Sequence, residues 1–152
     1  MADTDKNTGL VKSPFTISKL TSGVTYESTD LSDASRWVDL LVYDVPLGTA
    51  VEITPVNYMF ADLKNTGATA ITAGMSRLVK TNASETEERE LWSGSNGIFK
   101  DIGDEFQRPK VRVPIIVNSS QKLKFQVYNL GTTLDVSASN VFIEAVQYYE
   151  EI

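Results

Sequence analysis

Hydrophobic and polar residues alternate with a period of two along most of this chain, the pattern of strands that put one face on a core and the other toward water. Strand order is expected to begin near Pro14, where Phe15 and Ile17 alternate with Thr16 and Ser18, and a short second element carries Val24 and Tyr26. Glu27 to Ser35 is polar and acidic and reads as a loop. Arg36 to Val45 differs, with Val38, Leu40 and Val42 on one face and Trp37, Leu41, Tyr43 and Val45 on the other. A strand apolar on both faces is expected at the centre of a sheet and covered on both sides, with Asp39 set among the second group. Pro46-Leu47-Gly48 supplies a turn.

Val51 and Ile53 open the next strand, and the apolar phase is expected to flip after Pro55 to Val56, Tyr58 and Phe60, the mark of a bulge or corner. Asn65-Thr66-Gly67 turns the chain, and Ile71, Ala73, Met75 and Val79 then share one face of a long segment that Gly74 is expected to bend. Thr81 to Glu90 holds a Ser84/Glu87 capping box but almost no apolar face before Leu91, so a charged loop with one helical turn is predicted. Val111, Val113, Ile115 and Val117 alternate with Lys110, Arg112, Pro114 and Ile116, and after Asn118-Ser119-Ser120-Gln121 the residues Leu123, Phe125 and Val127 alternate with Lys122, Lys124 and Gln126. The two runs predict a hairpin. Val141 to Tyr149 is apolar on both faces and predicts a final strand in the middle of a sheet. The fold class that follows is all-β: a single-domain antiparallel β-sandwich over residues 13–152, jelly-roll-like with about eight strands, preceded by a flexible N-terminal arm over residues 1–12.

Composition narrows the chemistry. The 152 residues include no histidine and no cysteine, which removes Ser-His-Asp and Cys-His nucleophiles, thiolate metal sites, disulfides and histidine-held zinc or iron. Neither a P-loop nor a dinucleotide-binding glycine pattern occurs. With 14 basic and 20 acidic residues the net charge is −6, and the densest basic stretch, Arg108, Lys110 and Arg112, is too small for a phosphate-binding patch. Neither nucleic acid nor an anionic membrane surface is therefore expected as a partner. The polar, acidic start carries no secretion signal, no apolar run approaches a membrane-spanning length, and the sequons at Asn82 and Asn118 read as accidental.

Three constellations carry whatever chemistry remains. Asp39 with Glu52 or Glu144 could form a glycosidase-type carboxylate pair, or Asp39 could face solvent or pair with Arg36 or Arg77. Asp101, Asp104 and Glu105 surround Gly103 and offer oxygens to calcium, but they lack the spacing of an EF-hand loop and such runs are commonly just solvated. Leu91 to Phe99 combines aromatics with a flexible tip, so Trp92, Ser95, Asn96 and Phe99 make a candidate partner- or glycan-binding loop. In the competing reading Trp92 and Phe99 flank a turn as core residues. No catalytic residue, metal or cofactor is expected.

The polar arm, the segment Ser35-Arg36-Trp37-Val38-Asp39-Leu40-Leu41-Val42-Tyr43 and the alternating stretches Arg112 to Val117 and Gln121 to Asn129 resemble small virion proteins of tailed bacteriophages, in particular β-sandwich capsid decoration or cement proteins. The resemblance implies a non-enzymatic virion protein that assembles by protein–protein contacts. It implies a homo-oligomer, with a trimer favoured, bound to a major capsid or other virion protein. The alternative from another class is a carbohydrate- or receptor-binding module, with Trp92 and Tyr26 or Tyr149 as its aromatic platform.

Overall fold

The computed structural model describes residues 3–4, 10–32, 35–99 and 109–150. They form strands β1 (Asp3–Thr4), β2 (Leu10–Ile17), β3 (Val24–Tyr26), β4 (Val38–Asp44), β5 (Thr49–Ile53), β6 (Met59–Asp62), β7 (Met75–Thr81), β8 (Glu88–Ser95), β9 (Ile115–Val117), β10 (Lys122–Tyr128) and β11 (Asn140–Glu150), with a single 3-10 turn at Asn96–Phe99. One sheet runs β1-β2-β11-β5-β9, with β6 continuing the line of β5 along β11; the other runs β3-β4-β10-β7-β8. All pairings are antiparallel. The strand pairs β2–β11, β4–β10, β5–β9 and β7–β8 are those of a jelly roll, in which the chain passes repeatedly from one sheet to the other.

The two sheets close on a continuous apolar core that includes Ile17, Leu40, Leu41, Tyr43, Val51, Leu78, Leu123, Phe125, Leu134 and Ile143. Strand β11 holds the first sheet together. Its odd-numbered Val141, Ile143 and Ala145 face the core, while Phe142, Glu144, Val146 and Tyr148 line the outer face. Its two neighbours, β2 on one side and β5 then β6 on the other, make it the internal strand that its two-faced pattern predicts.

Several expectations are corrected. Strand β2 begins at Leu10, ahead of Pro14, which pairs with Val146 inside the strand. Past Lys12 the far side of β2 has no strand neighbour among the described residues, so the missing proline N–H interrupts no ladder. The predicted hairpin does not form. Strand β9 pairs with β5 in one sheet and β10 lies between β4 and β7 in the other. The connection at residues 118–121 is instead an inter-sheet corner, closed by the Gln121 amide on the Asn118 carbonyl (3.0 Å) and by the Ser119 hydroxyl on the Thr49 carbonyl (2.7 Å). Strands facing one core from opposite layers carry the same alternation as strands of a hairpin, so the pattern does not separate the two.

The helical turn predicted within Thr81 to Glu90 is absent: Asn82 closes a tight loop by accepting the Thr86 and Glu87 amides on Oδ1 (2.9 and 3.1 Å), and β8 starts at Glu88. Nor does the apolar phase flip after Pro55. Val51, Ile53, Met59, Ala61 and Leu63 are all buried, so Val56, 76% exposed, and the rings of Tyr58 and Phe60 lie outside the core. Gly74 bends the chain as expected, with φ +80°. The calcium candidates Asp101, Asp104 and Glu105 and the arm residues 1–2 and 5–9 lie outside the described residues.

Candidate functional site on the outer sheet faces

The outer face of the β10 sheet satisfies itself. A bulge places Asp39 opposite Gln126 while Leu41 stays opposite Phe125, so the extra residue, Leu40, joins Leu41 in the core and Asp39 turns outward. Asp39 accepts from Lys124 Nζ on Oδ2 (3.0 Å) and from the Gln126 amide on Oδ1 (2.6 Å). Arg77 Nε donates to Gln126 Oε1 (2.7 Å), and its Nη2 pairs with Glu88 (2.7 Å). Lys124 also pairs with Glu85, from the loop that follows β7. The Arg77 guanidinium lies 4.3 Å from the centre of the Trp37 ring, which leans on Tyr128. Burial lowers the Lys124 pKa, but hydrogen bonds to Glu85 and Asp39 outweigh it and leave the amine above its ordinary value. Glu85 is held below the usual carboxylate range by its hydrogen bond to Lys124. The charged groups of this face pair among themselves, and Met75 at the start of β7 is the large apolar side chain left exposed beside them, at 42%.

The outer face of the β11 sheet is different. Phe142 on β11 lies opposite Phe60 on β6, with ring centres 6.2 Å apart and planes within 18°. Together with Tyr58, Glu144 and Thr16 they line an open groove of about 300 Å³. Glu144 is fixed at its floor: Oε2 accepts the Tyr58 amide (3.2 Å), and its own amide donates to the Tyr58 carbonyl (3.0 Å). Lys110 Nζ sits 4.4 Å over the Tyr58 ring. Further along, Tyr148 donates to Glu52 (3.0 Å), and Ile116 on β9, beside Glu52, is 49% exposed.

The candidates read from the sequence are distributed as follows. Trp92 is half-buried against the core and tilts on Phe99 (5.8 Å), which packs in turn on Phe125 (6.4 Å). Asn96 is 1% exposed, and its side-chain amide donates to the Ala73 carbonyl (3.0 Å). Ser93, Ser95 and Ile98 are the exposed residues of that segment. Tyr26 lies in β3, at the edge of the β10 sheet opposite to β8, the strand that holds Trp92, and Tyr149 lies in the other sheet, so the structure does not bring them together as a platform. The Tyr26 hydroxyl is turned to the Ser139 carbonyl (3.0 Å), and burial raises its pKa well above the ordinary phenol value. Asp39 belongs to one sheet and Glu52 and Glu144 to the outer face of the other, so the proposed carboxylate pair is not assembled; nor does Asp39 pair with Arg36 or Arg77. Among the described residues no group of three or more acidic side chains is placed to hold a metal ion, and no helix is long and apolar enough to cross a membrane.

The sequence reading missed the groove. The signal was present in the odd-numbered series from Val51 to Leu63, which keeps its phase across Pro55 and so sends Tyr58 and Phe60 outward.

No family model matches this sequence, and no curated protein does. Solved structures do share its fold. VP17, a capsid protein of bacteriophage P23-77, superposes with a TM-score of 0.67 over 93% of this chain and 97% of its own, at 8% identity. The complex of VP16 and VP17, the two major capsid proteins of the same phage, gives 0.65 over 90% of this chain and 98% of that one, at 7% identity. The jelly-roll fold resembled at the level of residue pattern is thus one that solved bacteriophage capsid proteins possess.

Proposed function

We propose that this chain is a non-enzymatic capsid protein of a bacteriophage, located in the virion and working through protein–protein contacts. The observation that carries the reading is the near-complete, two-way coverage by a phage capsid protein with the same fold. Exposed apolar surface supports it: Ile116, on the outer face of the β11 sheet, is 49% exposed. Within that role we assign it the place of a decoration or cement subunit that forms a homo-oligomer, a trimer in our reading, and docks on another virion protein through the Ile116 side of the β11 sheet and the exposed tip at Ser95 and Ile98. That one phage structure pairs two different capsid chains lends support to a partner of another sequence.

The test is the absolute mass by light scattering over a concentration series, followed by co-sedimentation with empty shells of the phage that encodes the chain. A closed oligomer that binds shells is expected. A monomer that neither self-associates nor binds shells would overturn the reading.

A further inference from the structure

The groove beside Phe142 has the composition of a sugar site. We infer that it binds a neutral hexopyranose ring, as a terminal or branch unit of a glycan. The inference does not depend on the capsid reading.

Three observations combine. First, Phe60 and Phe142 form a nearly parallel pair on an outer sheet face, and Phe142 is 40% exposed. The negative face of an aromatic ring attracts the weakly positive C–H face of a pyranose, and burying both removes apolar surface from water. Second, Glu144 is prepositioned. Its Oε2 is taken by the Tyr58 amide, while Oε1 has no hydrogen-bond partner among the described residues and can accept from sugar hydroxyls. Third, Thr16 brings a hydroxyl to the groove lining, and the Lys110 ammonium lies over the ring of Tyr58, another lining residue, as a donor beside it. A polyhydroxylated ring needs such a mixture of one flat apolar surface, an anchored acceptor and nearby donors. The volume of about 300 Å³ sits at the small end of ligand sites, which suits one or two sugar units.

A cationic side chain from a neighbouring subunit is the rival occupant, because aromatic rings with a carboxylate also attract ammonium and guanidinium groups. Lys110 argues against it: a cation already covers the Tyr58 ring, and a second would meet its charge.

The test is saturation-transfer NMR on the full-length chain with methyl glycosides of glucose, galactose, mannose and N-acetylglucosamine, alongside N-acetylarginine amide. Transfer to the ring C–H protons of at least one glycoside is expected. Its affinity should fall roughly five- to tenfold in Phe142→Ala, the loss of one aromatic contact. Glu144→Gln should weaken it as well. Circular dichroism and melting of each variant establish that the fold is kept, and labelled Phe60 shifts locate the ligand even if one variant fails to fold. The inference is overturned if no glycoside responds, if the affinity is unchanged by Phe142→Ala in a folded protein, or if only the arginine amide perturbs the Phe60 ring.

Discussion

Lys124 Nζ lies 3.0 Å from Asp39 Oδ2 across the β4–β10 pair, although Lys124 is only 6% exposed. A lysine this buried on the outer face of a sheet requires partners on every side, and Asp39 and Glu85 provide them. Lys124→Met should lower stability by about 1–3 kcal/mol. That is below the ~3–5 kcal/mol of a fully buried pair, because both carboxylates keep contact with water. Adding Asp39→Asn should recover part of the loss, since one stranded charge disappears. Urea unfolding of both single variants and the double variant measures this coupling; strict additivity would show that the pair is not coupled.

The same network sets an acid limit. Glu85 is held below its ordinary pKa by Lys124, so the folded state favours the ionised carboxylate more than the unfolded chain does. Its contribution is complete above the unfolded value near 4.5 and is lost as pH falls through the lower folded value. At the alkaline end the raised Lys124 contributes stability that is full below 10.5 and disappears as pH rises through the folded value. Glu85→Gln should therefore flatten the acid side of a stability-against-pH curve and leave neutral-to-alkaline slopes nearly as before, apart from a smaller alkaline contribution from Lys124. Denaturant midpoints between pH 3 and 6, a window chosen around the ordinary carboxylate pKa, are the measurement.

The network also shows where sequence patterning stops. The central position of β11 was legible because Val141, Ile143 and Ala145 alternate with Phe142 and Val146 through an unbroken strand. Asp39 was not, because its direction depends on a bulge at Leu40 that appears only when β4 is set against β10. The corner at Asn118 to Gln121 escaped for a related reason: short polar connections serve hairpins and inter-sheet arches alike. The groove was hidden by an aromatic bias, the assumption that Tyr58 and Phe60 must be inside, when the smaller Met59 and Ala61 are the buried ones.

Two glycines with similar backbone angles should respond very differently to alanine. Gly74 (φ +80°) and Gly48 (φ +78°) both adopt the left-handed region. A Cβ at Gly74 would run into the backbone carbonyls of Tyr128 and Asn129, whereas at Gly48 nothing lies within 4 Å. Gly48→Ala should cost about 1 kcal/mol, the conformational part alone. Gly74→Ala adds a clash with main chain that cannot move aside and should cost roughly 3 kcal/mol or more, or prevent folding. Thermal melts of the two variants, compared at equal protein concentration, separate the terms; equal losses would mean that the β7 entrance yields more than its packing suggests.

Ile116 tests the assembly surface without touching the core. Strand β9 is a three-residue edge, and Ile116 faces outward between the buried Ile115 and Val117, beside Glu52 of β5. Its carbonyl is already taken by Lys80 Nζ (2.7 Å), so the strand is anchored independently of the Ile116 side chain. Ile116→Asp should consequently keep the fold and lower the unfolding free energy in urea by about 1 kcal/mol or less, the cost of an acid in a strand opposite Glu52. If the β11 face meets a neighbouring subunit, the same change places a charge where apolar area is buried and sets it close to Glu52. Self-association or shell binding should then weaken by roughly tenfold or more, because an unpaired interfacial charge costs on the order of 2 kcal/mol. Light scattering and shell co-sedimentation read this directly. A variant that folds and associates as well as the parent would move the contact off this face and leave the exposed tip at Ser95 and Ile98 as the place to look.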